Sequence, residues 1–325
     1  MGPKVLLLLF LFTVWVFAFE SEAQEISLEF SIYRMDESIA KALEDRLIQG
    51  GDVAVATFAK LADFEKQRRV VKEDSVSLQL EKAGDAKKSS SEKSIVTHAG
   101  DSKDGLEIEV DVVTGANLLD FNLYAAYTRE GKGGPLQANI ATQVLARSGV
   151  PLLLCRWQWE DDLLLLIGEC RVEGATGEAP VGDLVYLESS FFPSAADAAS
   201  GRSRYASARL ACRSGQRAKA EFVRGLDDPN LPQDDHPGLR VLVDPVLGAD
   251  GSLELTAANG LIEARGGKAR DDDGEKVSRL EMREADVRTK MEAGKPFSSA
   301  VTITKTGEDS KPDRGVVVME FTKPD

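Results

Sequence analysis

The segments "GLEIEVDVVTGAN" (Gly105 to Asn117) and "GLRVLVDPVLGAD" (Gly238 to Asp250) align without a gap, 133 residues apart. Gly105/Gly238, Leu106/Leu239, Val110/Val243, Asp111/Asp244, Val113/Val246, Gly115/Gly248 and Ala116/Ala249 are identical. A repeat in fixed order constrains the fold strongly, because each copy must be one supersecondary unit stacked on its neighbour. "LDFNL" (Leu119 to Leu123) and "LELTA" (Leu253 to Ala257) follow the two copies, both with the period-two alternation of half-buried strands. The markers Asp111, Gly115, Asp244 and Gly248 therefore belong to a duplicated hairpin. Asp250-Gly251 reads as its two-residue turn, and Asp244 before Pro245 as the end or bend of a strand.

The flanks repeat more weakly. "SLQLEKAGDAKK" (Ser77 to Lys88) and "ARLACRSGQRAKAE" (Ala208 to Glu221) each read as strand, glycine turn, strand. Downstream, Gly149-Val150-Pro151 matches Gly294-Lys295-Pro296, and each opens a further hairpin. The fold class is mainly β, with two tandem hairpin-rich units related by internal duplication. A small α/β module precedes them: "ISLEFSIYR" alternates as a strand, and two helical stretches follow. In the first, Asp36 can cap, Ile39, Ala42, Leu43, Arg46 and Leu47 keep helical spacing, and Gly50-Gly51 stops it. The second covers Ala54 to Gln67, with Phe58, Leu61, Ala62 and Phe64 partly on one side. The boundaries are 24–70 for this module, 71–192 for the first unit, 193–204 for a polar linker and 205–325 for the second unit.

Residues 1–23 have the layout of a secretory signal peptide: Lys4, an apolar run from Val5 to Phe19, then small and polar residues up to Ala23. As a helix that run rises about 22 Å, short of the ~30 Å hydrocarbon core. The chain is expected to be secreted or periplasmic, with no membrane span after cleavage. Its net charge of −14 repels nucleic acid and anionic lipid surfaces. Three cysteines cannot all pair within the chain. Cys155 and Cys170 flank one expected hairpin and are the candidate disulfide; three buried free thiols are the alternative.

No constellation carries a reaction. His98 and His236 lack partners at metal-ligand spacing, and there is no nucleophile elbow, phosphate loop or dinucleotide fingerprint. No catalytic, cofactor-binding or metal-ligating residue is assigned. Trp157 and Trp159 share one strand face beside the acids Glu160 to Asp162. They are either a ligand platform, which would suit a carbohydrate-binding protein or hydrolase, or an aromatic pair covering a sheet. Asp227, Asp228, Asp234 and Asp235 form an acidic loop whose prolines break regular calcium-loop spacing. A calcium-stabilised adhesion module would use it.

"RLACRSGQRAKAE" followed by "GLRVLVDPVLGADGSLEL", and "ARSGVPLLLCRW" followed by "LLLLIGECRV", resemble the β-domain of bacterial secretins and shorter secretin-like envelope proteins. "ISLEFSIYRMDESIAKAL" resembles the small α/β modules that precede that domain. The resemblance implies an extracytoplasmic, non-enzymatic β-rich component that works through protein partners or self-association. A pore is not implied, since a membrane barrel needs long strands with a lipid-facing apolar band.

Overall fold

The computed structural model describes residues 25–81, 92–97, 105–114, 118–130, 135–159, 162–173, 183–201, 203–224, 236–270, 276–305 and 315–324. The expected signal peptide lies outside them. The chain begins with β1 (Glu25–Met35), α1 (Glu37–Gln49), α2 (Gly51–Lys66) and β2 (Val70–Glu81). The strands β3 (Glu92–Thr97), β4 (Gly105–Thr114), β5 (Leu118–Arg129), β6 (Leu136–Arg147), β7 (Leu152–Trp159) and β8 (Asp162–Val172) follow. The second half has β9 (Leu184–Phe192), α3 (Ala195–Ser200), β10 (Ala206–Arg213), β11 (Ala218–Arg224), β12 (Gly238–Leu247) and β13 (Leu253–Arg270). It closes with β14 (Lys276–Met291), β15 (Phe297–Ala300), β16 (Thr302–Lys305) and β17 (Val316–Thr322).

The strands form two antiparallel sheets. The first has the order β15-β17-β9-β10-β7-β8-β1-β2, and the second β16-β14-β13-β12-β11-β6-β5-β4-β3. Matched strand for strand, β7-β8-β1-β2 repeats as β15-β17-β9-β10, and β6-β5-β4-β3 repeats as β14-β13-β12-β11. The protein is thus mainly β, built of two tandem units related by duplication, with the α/β module β1-α1-α2-β2 opening the first. In strand order the repeat extends beyond the sequence match: β1 corresponds to β9 and the α1–α2 pair to α3, so the second unit starts at β9, before the expected linker, and the expected α/β module is the opening of the first. Residues 195–200, inside the expected linker, form α3, with Ser194 accepting from the Asp197 N–H at its start and left-handed Gly201 at its end.

The local sequence explains the layering. One buried stripe of α1 holds Ile39, Ala40, Leu43, Glu44, Leu47 and Ile48, whereas Ala42 and Arg46 are exposed. On α2 the buried residues are Ala54, Thr57 and Leu61. With helices on one side and the second sheet on the other, β7 and β8 are buried on both faces. "LLLCRWQW" and "LLLLIGECRV" accordingly read as continuous apolar runs. By contrast β5 and β6 alternate, because their outer face meets solvent. One contiguous core runs through both units, from Phe30 packed edge-on against Phe121 to Phe321. Each fully buried side chain of this size contributes roughly 1.5–3 kcal/mol by leaving water.

The Gly-x-Pro turns are equivalent in detail. The Gly149 N–H donates to the Cys170 carbonyl at 2.7 Å, and the Gly294 N–H to that of Phe321 at 3.0 Å. Both glycines have positive φ, 76° and 69°, which an L side chain adopts only with strain. A constant shift of 145 residues therefore relates β6 and β7 to β14 and the strands after it.

Candidate functional site

The Gly-Leu hairpin that marks the repeat is structural. Its loop has three residues, not the two expected: Ala249 to Gly251 lie between Gly248 and Ser252, which still bond at 2.7 Å. The Gly251 N–H donates back to the Gly248 carbonyl at 3.0 Å, and Gly251 takes the left-handed conformation (φ 79°) that such loops require. The Asp250 carboxylate is fully engaged. Its Oδ1 accepts from the Ser252 N–H and hydroxyl, and its Oδ2 from Lys290 at 2.8 Å, so its pKa is lowered chiefly by Lys290.

Asp244 neither ends nor bends its strand, since β12 continues through Pro245 to Leu247. The proline is tolerated because β11 pairs only as far as Val243, so no ladder N–H is needed there. Arg217 grips Asp244 with a two-point contact, 2.8 and 2.9 Å. Asp111 stands opposite Asn122 on β5, and Gly115 lies outside the described residues. The acidic loop Asp227–Asp235 and His98 lie outside them too. Among the described residues no cluster of three or more His, Cys, Asp or Glu side chains is placed to hold a metal ion.

The tryptophans are not a ligand platform. Trp157 is 1% exposed and Trp159 5%, because both point into the layer between the sheets. Trp159 packs edge-on against Phe222 of β11, with Arg224 above its ring. The adjacent Asp162 is taken by Arg129 and by Arg224, the latter at 3.1 Å. Cys155 and Cys170 do not pair. Cys155 stands opposite Leu166, and Cys170 is four residues further along β8, about 13 Å away and too far for a bridge. All three cysteines are free and buried, and burial raises each thiol pKa, that of Cys170 to about 12.

Sequence reasoning missed the seam between the units. There β10 of the second unit pairs with β7 of the first, from Ala206↔Trp159 to Leu210↔Cys155. In the other sheet β11 pairs with β6, from Lys219↔Ala141 to Arg224↔Leu136. Each sheet runs unbroken from one unit into the next. On the helix side a buried ionic cluster crosses the seam. Arg209 stands opposite Arg156 on one side and Glu188 on the other. Arg156 donates to Glu188 at 2.7 Å, to Ser207 at 2.9 Å and to Glu44 of α1 at 3.3 Å. Arg209 donates to Glu44 at 3.0 Å and also to Glu188. Arg204 joins Glu188 at 3.4 Å. Burial raises the Glu44 pKa against the pull of the arginines. At Glu188 burial also raises it, but Arg156, Arg209 and Arg204 outweigh burial and the net shift is downward. The lone glutamate on an otherwise apolar stripe of α1 was the available signal.

The two ends of the stack differ. At the first unit, β2 and β3 are the outermost strands of their sheets. In the register of the repeat, Asp74–Leu78 of β2 correspond to Ala206–Leu210 of β10, the stretch that docks on β7. At the other end the chain covers itself. The strand matching β7 leaves the first sheet after Ala300 and re-forms as β16 on β14, pairing Glu281–Glu284 with Lys305–Thr302. Those positions correspond to Leu136–Asn139 of β6, where β11 docks at the seam. A strand of the chain's own thus fills the place a third unit would take, as capping repeats do in solenoids.

The candidate functional surface is therefore the edge formed by β2. Ser77 and Gln79 on it are exposed, Ser75 is half-buried, and Val76 and Leu78 face the core. No helix among the described residues is long and apolar enough to cross a membrane. Comparisons with protein-family models, with curated proteins and with solved structures found no match to this chain.

Proposed function

We propose that this chain is a non-enzymatic, secreted or periplasmic assembly protein of secretin-like type that acts through protein–protein contacts along its sheet edges. The observation that carries it is the seam: the two units are joined by sheet continuation, and the first unit presents the same edge strand, β2, with no neighbour on its outer side among the described residues. An edge row of backbone donors and acceptors is a template for a further strand. The resemblance to secretin modules and the apolar leader from Val5 to Phe19 support work outside the cytoplasm. The burial of Trp157 and Trp159 counts against a sugar-binding platform on β7.

The test is photo-crosslinking in cells from a probe at Ser77, combined with fractionation. Adducts from Ser77 in an extracytoplasmic fraction are expected, with none from Ser298 on β15. A cytoplasmic protein without adducts at Ser77 contradicts the proposal.

A further inference from the structure

We infer that the occupant of the β2 edge is a second copy of this chain, docked about a two-fold axis through Ser77 so that β2 pairs antiparallel with its mate. The inference rests on the edge-contact reading above and names its partner.

Three observations lead to it. The first is continuity with the seam, where the counterpart of β2 already joins two units by antiparallel pairing. The second is self-complementarity. A two-fold through Ser77 places Ser77 opposite Ser77, Ser75 opposite Gln79 and Val76 opposite Leu78. The outer row is then polar and uncharged, and the inner row apolar and continuous with the core. Edge strands kept apart carry inward or central charges, and Ser75–Leu80 carries none. On one flank the acids are held within the monomer: Asp74 accepts from the Leu106 N–H at 2.8 Å, and Glu73 is bound by Arg34 and Arg129. On the other, Glu81 ends β2 and would stand opposite Glu73 of the mate, where those two arginines offset the like charge. The third is the cap. Head-to-tail growth would need the β14 edge at Glu281–Glu284, and β16 occupies it. An isologous contact between the uncapped ends closes with two subunits and leaves a cap at each outer end. On the same side, β3 is the edge of the second sheet and would meet its own mate.

The experiment is light scattering on protein purified from the full-length sequence, with three variants. Twice the chain mass is expected at micromolar concentration. Ser77→Glu sets two like charges face to face on the axis and should halve the mass while the monomer still unfolds cooperatively, its melting temperature no longer dependent on protein concentration. Ser77→Cys should cross-link to a dimer under mild oxidation, and Ser298→Cys on the capped end should not. A Ser77→Glu protein that fails to fold leaves the Ser77→Cys cross-link as the deciding result. A monomeric wild type with no Ser77→Cys dimer overturns the inference, and if Ser77 adducts to another protein form in cells, the proposed function survives it. A ladder above the dimer in a Ser77→Cys/Ser298→Cys protein also overturns it, in favour of head-to-tail pairing. A monomer with no adducts removes both.

Discussion

Arg156 of β7 faces Arg209 of β10 directly across the seam between the two units, and Glu44 and Glu188 hold both guanidinium groups. Two like charges in one cross-strand pair would repel. Here the pair is made tolerable by a helix carboxylate from one unit and a strand carboxylate from the other. The cluster ties α1 of the first unit to β9 and β10 of the second.

Glu44→Ala should therefore be costly. It leaves buried Arg156 and Arg209 one carboxylate short, and losing one partner of a buried pair typically costs about 3–5 kcal/mol. Urea unfolding should show a lower midpoint of that order. A change below about 0.5 kcal/mol, the range of ordinary surface substitutions, would remove the cluster's role.

The acid limb of stability should follow Glu188. Its folded pKa lies below the ordinary 4.5, so its contribution is complete above that value and is lost as pH falls below it. Glu44 is shifted the other way, so between 4.5 and its raised value falling pH favours the folded state. Midpoints measured down the pH scale should rise slightly, then fall below about 4.5. Glu188→Gln should flatten the fall and Glu44→Gln the rise. A Glu188→Gln profile parallel to wild type would contradict this.

Gly238, the first residue of the second marker segment, has no room for a side chain. A Cβ there would meet the Phe222 carbonyl oxygen at 2.4 Å and Val223 Cα at 2.8 Å, both backbone atoms that cannot step aside. Gly238→Ala should cost about 1–3 kcal/mol, the usual range for overpacking. Gly260→Ala on β13 meets nothing within 4 Å and serves as the control. Equal melting temperatures for the two variants would refute the close approach of β12 to β11.

The duplicated hairpin was legible because its copies align without gaps and share glycines that local geometry demands. The two N-terminal helices were legible from their periodicity. The rest of the repeat was not, since β1 and β9 keep a common place in the sheet through backbone pairing while their side chains differ. The seam was also hidden. Its charges lie at positions 44, 156, 188, 204 and 209, and no local spacing relates them. Trp157 and Trp159 misled for a related reason. Period two places both on one face of β7, but it does not tell a solvent face from one covered by a second sheet.

The calcium-loop alternative has its own test. Its acids, Asp227, Asp228, Asp234 and Asp235, are interrupted by prolines that break regular ligand spacing. Chelator should leave the melting temperature unchanged, and a clear drop would restore a cation-stabilised module.

A single cross-link between β6 and β11 tests whether continuous sheets join the two units. Glu221 of β11 stands directly opposite Asn139 of β6. Directly opposed residues have Cβ atoms about 4.5–5.5 Å apart, within reach of a disulfide after small adjustment. A Glu221→Cys/Asn139→Cys protein should form the intramolecular bond under mild oxidation, seen by peptide mapping without reductant. Glu221→Cys/Gln143→Cys, four residues out of register and about 13 Å apart, should not. Cross-linking in the second protein and none in the first would contradict the seam.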